Sequence, residues 1–473
     1  MMRTSADEEL RQAAYLGLRN IGPPLLKEFC CIVNNRNRLA KMLGYCDYYE
    51  YKLQTTEGVS KEFVFDILEE IETRTRQAFQ SFLDEFATKN GANSIQPWNL
   101  VYYSSGDITT ELDPYFNFRN SIRIWLNCFS SMGVNYRGSK INMDLLDRQG
   151  KYNNGFCHWP MVAHFSNGVF YPSAANLTSL ATPNQIGAGY NALHTLLHEC
   201  GHAASFANCI VDSPMFSQER APFSVINAET TSMFFDSLQE DADFMAQYAV
   251  NSSGESVPFA LLERFYRAKQ PEKLLRLRQM LIVPFFERAL YELAESDVTP
   301  EKVANLADQI EKQILIKIQS PRPLLSVPHI LSWESSAYYH AYVLAQCAVD
   351  MTRNKFMDDG SILNNFNVGS DLFHYYWRWG CTRNFFELVK EFTGQELSPN
   401  ALIADTLAPI DEVISQARRC YDSNLWRKNS WKDRIPDLGL QFKVSHGTET
   451  ICDTEMTTLE EAVKSFEKWI DGM

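Results

Sequence analysis

A mainly α-helical fold with a small antiparallel β-sheet is what the sequence predicts, on three observations. Apolar residues recur at helical spacing over residues 61–88, 271–319 and the stretch around His198. Residues 141–177 carry instead short apolar runs broken by Gly and Asn, as paired strands do. With 473 residues, 45% hydrophobic and 22% charged, the chain can bury a large core and needs no disordered segment. The expected organisation is an N-terminal helical region (1–140), a central region with the sheet and the His198 helix (141–425), and a C-terminal appendage (426–473).

The central helix carries the most informative residues. His198-Glu199-Cys200-Gly201-His202 puts two imidazoles one turn apart on one side of a helix. That spacing grips a single zinc ion and leaves Glu199 between the ligands, placed to act as a base. A motif this short recurs by chance, so its surroundings decide. Residues 189–197 and 203–207 contain no proline; Leu193, Leu197 and Cys200 or Ala204 can face a core while the histidines share another face.

Catalytic zinc takes three protein ligands, so one more must come from elsewhere. After His202 the chain runs through a loop with Pro214 and Pro222, and a second helix starts at Ser224, a suitable N-cap. Glu229 lies inside that helix among apolar neighbours, where a carboxylate needs a partner such as a metal. Glu219 competes, but beside Arg220 it reads as half of a surface ion pair. Glu229 is therefore the preferred third ligand.

Further phrases run in one order from about residue 35 to 342. They are Arg38-Leu39-Ala40-Lys41-Met42-Leu43-Gly44-Tyr45, then Pro97-Trp98-Asn99-Leu100-Val101-Tyr102-Tyr103, then Met143-Asp144-Leu145-Leu146-Asp147-Arg148-Gln149-Gly150-Lys151 with Gly155-Phe156-Cys157. With these the chain resembles the thimet oligopeptidase and oligoendopeptidase F family of zinc peptidases, in the gluzincin group. The resemblance implies a large helical zinc-peptidase fold around a substrate cleft. It also implies one zinc ion per chain on His198, His202 and Glu229, and oligopeptide substrates cut at internal bonds.

The same resemblance gives a role to the last matching segment, where His329 follows Pro328 and a helix is expected to carry Ala337-Tyr338-Tyr339-His340-Ala341-Tyr342. In the family a histidine and tyrosines of this region bind the substrate backbone and stabilise the oxygen that becomes negative. By that likeness His329, Tyr339 and Tyr342 are catalytic and Tyr338 is substrate-binding; whether Tyr338 or Tyr339 faces the metal stays open. Without the family, such an aromatic stripe is core packing and a histidine after proline is a loop residue. Residues 169–178 read as an edge strand with free backbone groups that an extended peptide can pair with. By resemblance Ala175 and Asn176 line the substrate groove; the plainer reading is a strand that closes a small sheet.

Three features depart from the family. His194 stands where an acidic residue four positions before the first zinc histidine is usual, and it either packs near the metal or fills space. Asp236, two turns beyond Glu229, either takes over the supporting role or forms a solvated acidic face with Glu240, Asp241 and Asp243. The N-terminal lobe is shorter than in relatives, which implies a more open cleft or a homo-oligomer whose second protomer supplies the missing wall.

A net charge of −14 disfavours nucleic acid and anionic membranes as partners, and no apolar run approaches the length of a membrane span. Eleven cysteines, an odd number without paired spacing, read as reduced thiols and favour a cytoplasmic location, with an organelle not excluded. In the tail, Leu440-Gln441-Phe442-Lys443-Val444 predicts a strand, and Thr458 with Glu461 a capping box for a final helix through Trp469. Two other functions compete with an oligopeptidase. One is a catalytically silent peptide-binding protein that keeps the fold, and the other is a zinc hydrolase of a non-peptide amide.

Overall fold

The computed structural model describes residues 2–152, 155–216, 224–316, 318–358 and 360–473. Helices dominate it, as the periodicity predicts. The chain forms two compact units. The first comprises residues 1–108, 265–347 and 398–410, and the second residues 109–264, 348–397 and 411–473.

The first unit is built from helices. Lys61–Asn90 shows why: Ser60 caps its start by accepting the Phe63 N–H, and Gly91 at φ 87° ends it. Phe65, Leu68, Ile71, Thr75, Phe79 and Leu83 return every three or four residues and are all buried. The helix Phe259–Tyr291 begins ahead of the expected boundary and runs through Pro271 and Pro284. The division between units falls within it.

The second unit contains the sheet. Its strands are β1 (Ser139–Leu146), β2 (Phe156–Met161), β5 (Ala174–Ala181), β6 (Leu440–His446) and β7 (Glu449–Asp453), in the order β2-β5-β1-β6-β7. β3 (His164–Ser166) and β4 (Val169–Tyr171) form a separate hairpin. The sheet is mixed, not antiparallel as expected: β1 runs parallel to both β5 and β6, and only β2 with β5 and β6 with β7 are antiparallel. The reason is connectivity. The chain leaves β1, makes β2 and the β3–β4 hairpin, and re-enters the sheet beside β1 from the end where β1 began.

Two expectations change with this topology. β5 is not an edge: it is paired on both sides, and Ala175 is 1% exposed. Its buried residues Ala175, Leu177 and Ala181 suit an interior strand; the edge on this side is β2. Nor is the tail an appendage, because β6 completes the sheet against β1 in the register Ile141 to Phe442. The final helix Leu459–Asp471 has the predicted Thr458–Glu461 capping box, and it buries Ala462, Val463 and Phe466 completely. Its Glu467 meets Arg123 at 2.7 Å in a buried bidentate pair. All eleven cysteines are free thiols. No helix among the described residues is long and apolar enough to cross a membrane.

Candidate metal centre and aromatic group

The helix Ala188–Ala207 carries both motif histidines, and Leu193, Leu196, Leu197, Cys200 and Ala204 turn inward, each at most 2% exposed. The helix Val225–Ser237 packs against it, capped by Ser224, whose Oγ accepts the Asn227 N–H. Gly201 permits the approach. A Cβ there would stand 3.0 Å from Phe235 Cδ2, 3.1 Å from Ser232 Cα and 3.3 Å from the Thr231 carbonyl oxygen. The motif residue between the histidines is thus a contact surface for the second helix, a role that the spacing of ligands alone does not reveal.

This packing brings the three proposed ligands together. One ligand atom each from His198, His202 and Glu229 lies within 4.8 Å of the others. Glu229 Oε2 is 3.6 Å from His198 Nε2 and 4.0 Å from His202 Nε2. Ligand atoms around tetrahedral zinc stand about 3.3 Å apart, and both Glu229–histidine separations lie within about 0.7 Å of that spacing. Ser232 Oγ donates to Glu229 Oε2 at 3.3 Å and steers it. Glu219, the competing ligand, lies outside the described residues.

The surroundings fit a dication. His198 Nδ1 meets Asp236 Oδ2 at 2.7 Å while its Nε2 faces Glu229, so Asp236 is bonded to the motif histidine rather than standing free on a solvated face. His194 faces the same carboxylate, Nε2 to Oδ2 3.7 Å, so it packs beside the candidate metal centre. The other members of the expected acidic face are also engaged or buried. Asp241 grips Arg353 at 2.6 Å, and burial together with Asp241 pushes Asp243 up to about 7. Glu199 is 5% exposed. Burial pushes its carboxyl up to about 7; His198 partly offsets this while Glu229 and Asp236 add repulsion. Burial opposes charge on His198, yet the Asp236 bond and the carboxylates of Glu199 and Glu229 hold its imidazole up at about 9. Burial and neighbouring His198 hold His202 well below its usual range, and its buried Nδ1 has no partner among the described residues. Three carboxylates around two imidazoles leave negative charge that a bound cation offsets.

Gly155, just before β2, is a second residue that sequence reasoning missed. A Cβ there would lie 3.0 Å from Thr195 Cγ2 and 3.2 Å from the Thr178 carbonyl oxygen, with Glu199 Oε1 at 3.4 Å, so the missing side chain permits a close approach next to the motif helix. Asn176, on the interior strand β5, accepts from Asn142 Nδ2 at 2.9 Å.

His329, Tyr338, Tyr339 and Tyr342 belong to the first unit, and the structure gathers them. The ring of His329 lies 6.1, 5.1 and 5.9 Å from those of Tyr338, Tyr339 and Tyr342, and its Nε2 is 3.3 Å from the Tyr342 hydroxyl. Burial, with Arg322 nearby, lowers His329 to about 4, so it is neutral at physiological pH. The helix expected over 337–342 starts only at His340. Ala337 is the cause: its φ of 50° is left-handed, a conformation that costs an L-residue roughly 1–2 kcal/mol and cannot continue a helix. Tyr338 and Tyr339 therefore sit in the preceding turn, yet both rings touch Tyr342, at 5.5 and 5.0 Å.

A mainly helical fold with a partly buried cluster of two histidines, a glutamate and an adjacent carboxylate defines the class. The chain belongs to Peptidase family M3, whose model matches residues 1–406. It is 23% identical over 434 residues to Oligopeptidase A of Salmonella typhimurium, covering 80% of this chain and 61% of that protein. It is also 23% identical over 421 residues to Oligopeptidase A of Escherichia coli, covering 78% and 60%. The chain thus spans about three fifths of the length of the curated relatives it matches. In fold it is similar to PZ peptidase A in complex with an inhibitor, at TM-score 0.58 and 16% identity over 89% of this chain and 70% of that one. An M32 carboxypeptidase from Deinococcus radiodurans R1 gives TM-score 0.55 and 15% identity over 88% and 79%.

Proposed function

We propose that the protein is a zinc-dependent metallopeptidase that hydrolyses internal bonds of oligopeptides. The observation that carries this reading is the convergence of His198, His202 and Glu229 within 4.8 Å, with Glu199 in the same motif. His198 and His202 hold the metal through Nε2 and Glu229 through a carboxylate oxygen, while Asp236 fixes the His198 ring. Zinc bound there supplies Lewis-acid polarisation of a carbonyl and lowers the pKa of water to about 7. Glu199 takes a proton from the attacking water and passes it to the leaving amine, a task suited to a carboxyl raised toward neutrality. His329, Tyr339 and Tyr342 are assigned to substrate backbone and developing oxyanion, with Tyr338 as a further substrate contact, as the family resemblance implies. The edge left free for a peptide backbone is that of β2, in place of Ala175 and Asn176. Curated relatives named oligopeptidases favour short peptides, and the free thiols favour the cytoplasm.

The test is metal content together with cleavage of a random peptide library read by mass spectrometry. Glu199→Gln is expected to keep zinc and lose turnover on the order of 10³-fold, and His198→Ala to lose the metal. Full turnover in a verified Glu199→Gln protein refutes the assignment. Zinc without any cleavage favours the silent peptide binder, and cleavage confined to chain ends favours an exopeptidase.

A further inference from the structure

The loop between His329 and the tyrosines, residues 330–337, is held by its backbone from behind. Arg36 donates to the carbonyl oxygens of Ile330 at 3.1 Å and Ser332 at 2.7 Å. Lys52 Nζ donates to the Glu334 carbonyl at 3.0 Å, and the Tyr48 hydroxyl lies 3.2 Å from Ser336 Oγ. Glu287 Oε1 accepts the N–H of Ala337 at 2.8 Å, at the one residue of the loop with left-handed φ. Immediately after the loop, His340 Nδ1 meets the Tyr49 hydroxyl at 3.0 Å. These side chains come from three helices, Leu26–Met42, Tyr48–Thr56 and Phe259–Tyr291, at positions that all belong to the first unit.

Most connecting loops leave their backbone polar groups to water. Here Arg36 is 4% exposed and Glu287 fully buried, and burying an ionisable group is costly unless its hydrogen bonds are used. Arg36 gives one bond to the Tyr291 hydroxyl and its others to this loop, and Glu287 Oε1 is bonded to the loop as well; the loop contains no glycine, and its ends carry His329 and the three tyrosines. We infer that Arg36 and Glu287 are positioning residues, which hold the 330–337 backbone in one shape so that the four rings are preset for a peptide. This rests on the substrate-binding role proposed above for those rings. Preset groups spare the reorganisation that binding otherwise requires, and small misplacements cost rate steeply.

Full-length variants are assayed with a quenched fluorescent oligopeptide for kcat and KM, with zinc content and amide hydrogen exchange read in parallel. Arg36→Met and Glu287→Met are expected to exchange faster across 330–339 and to lose about 10- to 100-fold in kcat, with zinc unchanged. Glu287→Gln, which keeps an acceptor for the Ala337 N–H, is expected to recover most of that loss. Where a methionine variant does not fold, Tyr48→Phe is expected to quicken exchange at 335–337 alone. Wild-type kcat and exchange in folded methionine variants overturn the inference, as does Glu287→Gln behaving no better than Glu287→Met. Slow exchange at 330–337 in a Tyr48→Phe protein also counts against it. If the wild type cleaves nothing while the exchange pattern is as stated, the peptidase reading falls and the grip on the loop stands.

Discussion

In the candidate metal centre each proposed ligand leaves a helix, and the two helices come close at Gly201. In the His329 group only Tyr342 stands on a helix; His329 leaves a 3₁₀ turn and Tyr338 and Tyr339 follow an irregular loop, whose shape is imposed by side chains of Arg36, Lys52 and Glu287. Regular geometry fixes the first site from a few local residues. The second depends on partners up to 296 positions away, and each of them is a place where it can loosen. The comparison teaches that precision on a helix is intrinsic, whereas precision on a loop is lent by whatever grips it.

The comparison is sharpened most by removing one donor from the loop site. Tyr342→Phe is expected to lower kcat about 100-fold while zinc content stays at one per chain. A normal kcat means that its hydroxyl serves packing only.

Next in size is the pH dependence of the loop's support. Burial pushes Glu287 up to about 7, against the offsetting hydrogen bond from Ala337 and the charges of Arg36 and Lys52; Tyr48, Tyr49 and Tyr291 also face it. A raised carboxyl pKa means that the folded state holds the proton longer than the unfolded one. Its cost is absent below about pH 4.5 and grows to about 3 kcal/mol above pH 7. Urea unfolding should therefore show Glu287→Gln gaining stability relative to the wild type as pH rises through that window. A difference that stays flat from pH 4.5 to 8 excludes a buried, titrating Glu287.

On the helical side, Asp236→Asn is expected to weaken zinc binding 10- to 100-fold in competition with a chelator, and to leave exchange of the 330–337 loop unchanged. Gly201→Ala is the smallest perturbation. The added methyl meets Ser232 Cα and the Thr231 carbonyl, and it should cost about 1–2 kcal/mol in unfolding experiments, with a parallel loss of metal affinity. An alanine variant with wild-type stability and affinity shows that the helices can part without harm.

These contrasts also explain what was readable beforehand. The His198–His202 spacing, the Ser224 cap, Glu229 within its helix, Asp236 two turns on and the Thr458–Glu461 box are all local relations, and each stands where the spacing put it. The parallel pairing of β1 with β6 joins segments far apart in sequence, and no alternation within either strand reveals it. Ala175 reads as an edge residue only while its neighbour strands are unknown. The late start of the helix at His340 follows from one left-handed residue, Ala337, whose type gives no sign of it. Gly155 and Gly201 act through the absence of a side chain, which only a folded neighbour makes visible.

The strand β6 also sets a timetable for the newborn chain. β1 leaves the ribosome roughly 300 residues before its partner β6, on the order of tens of seconds at ordinary synthesis rates. For the later part of that interval both helices of the candidate metal centre have been made while one flank of β1 lies bare, an invitation to mispairing with other nascent chains. Only when Leu440–His446 arrives is that flank covered, so completion of this sheet waits for a segment made long after its first strand.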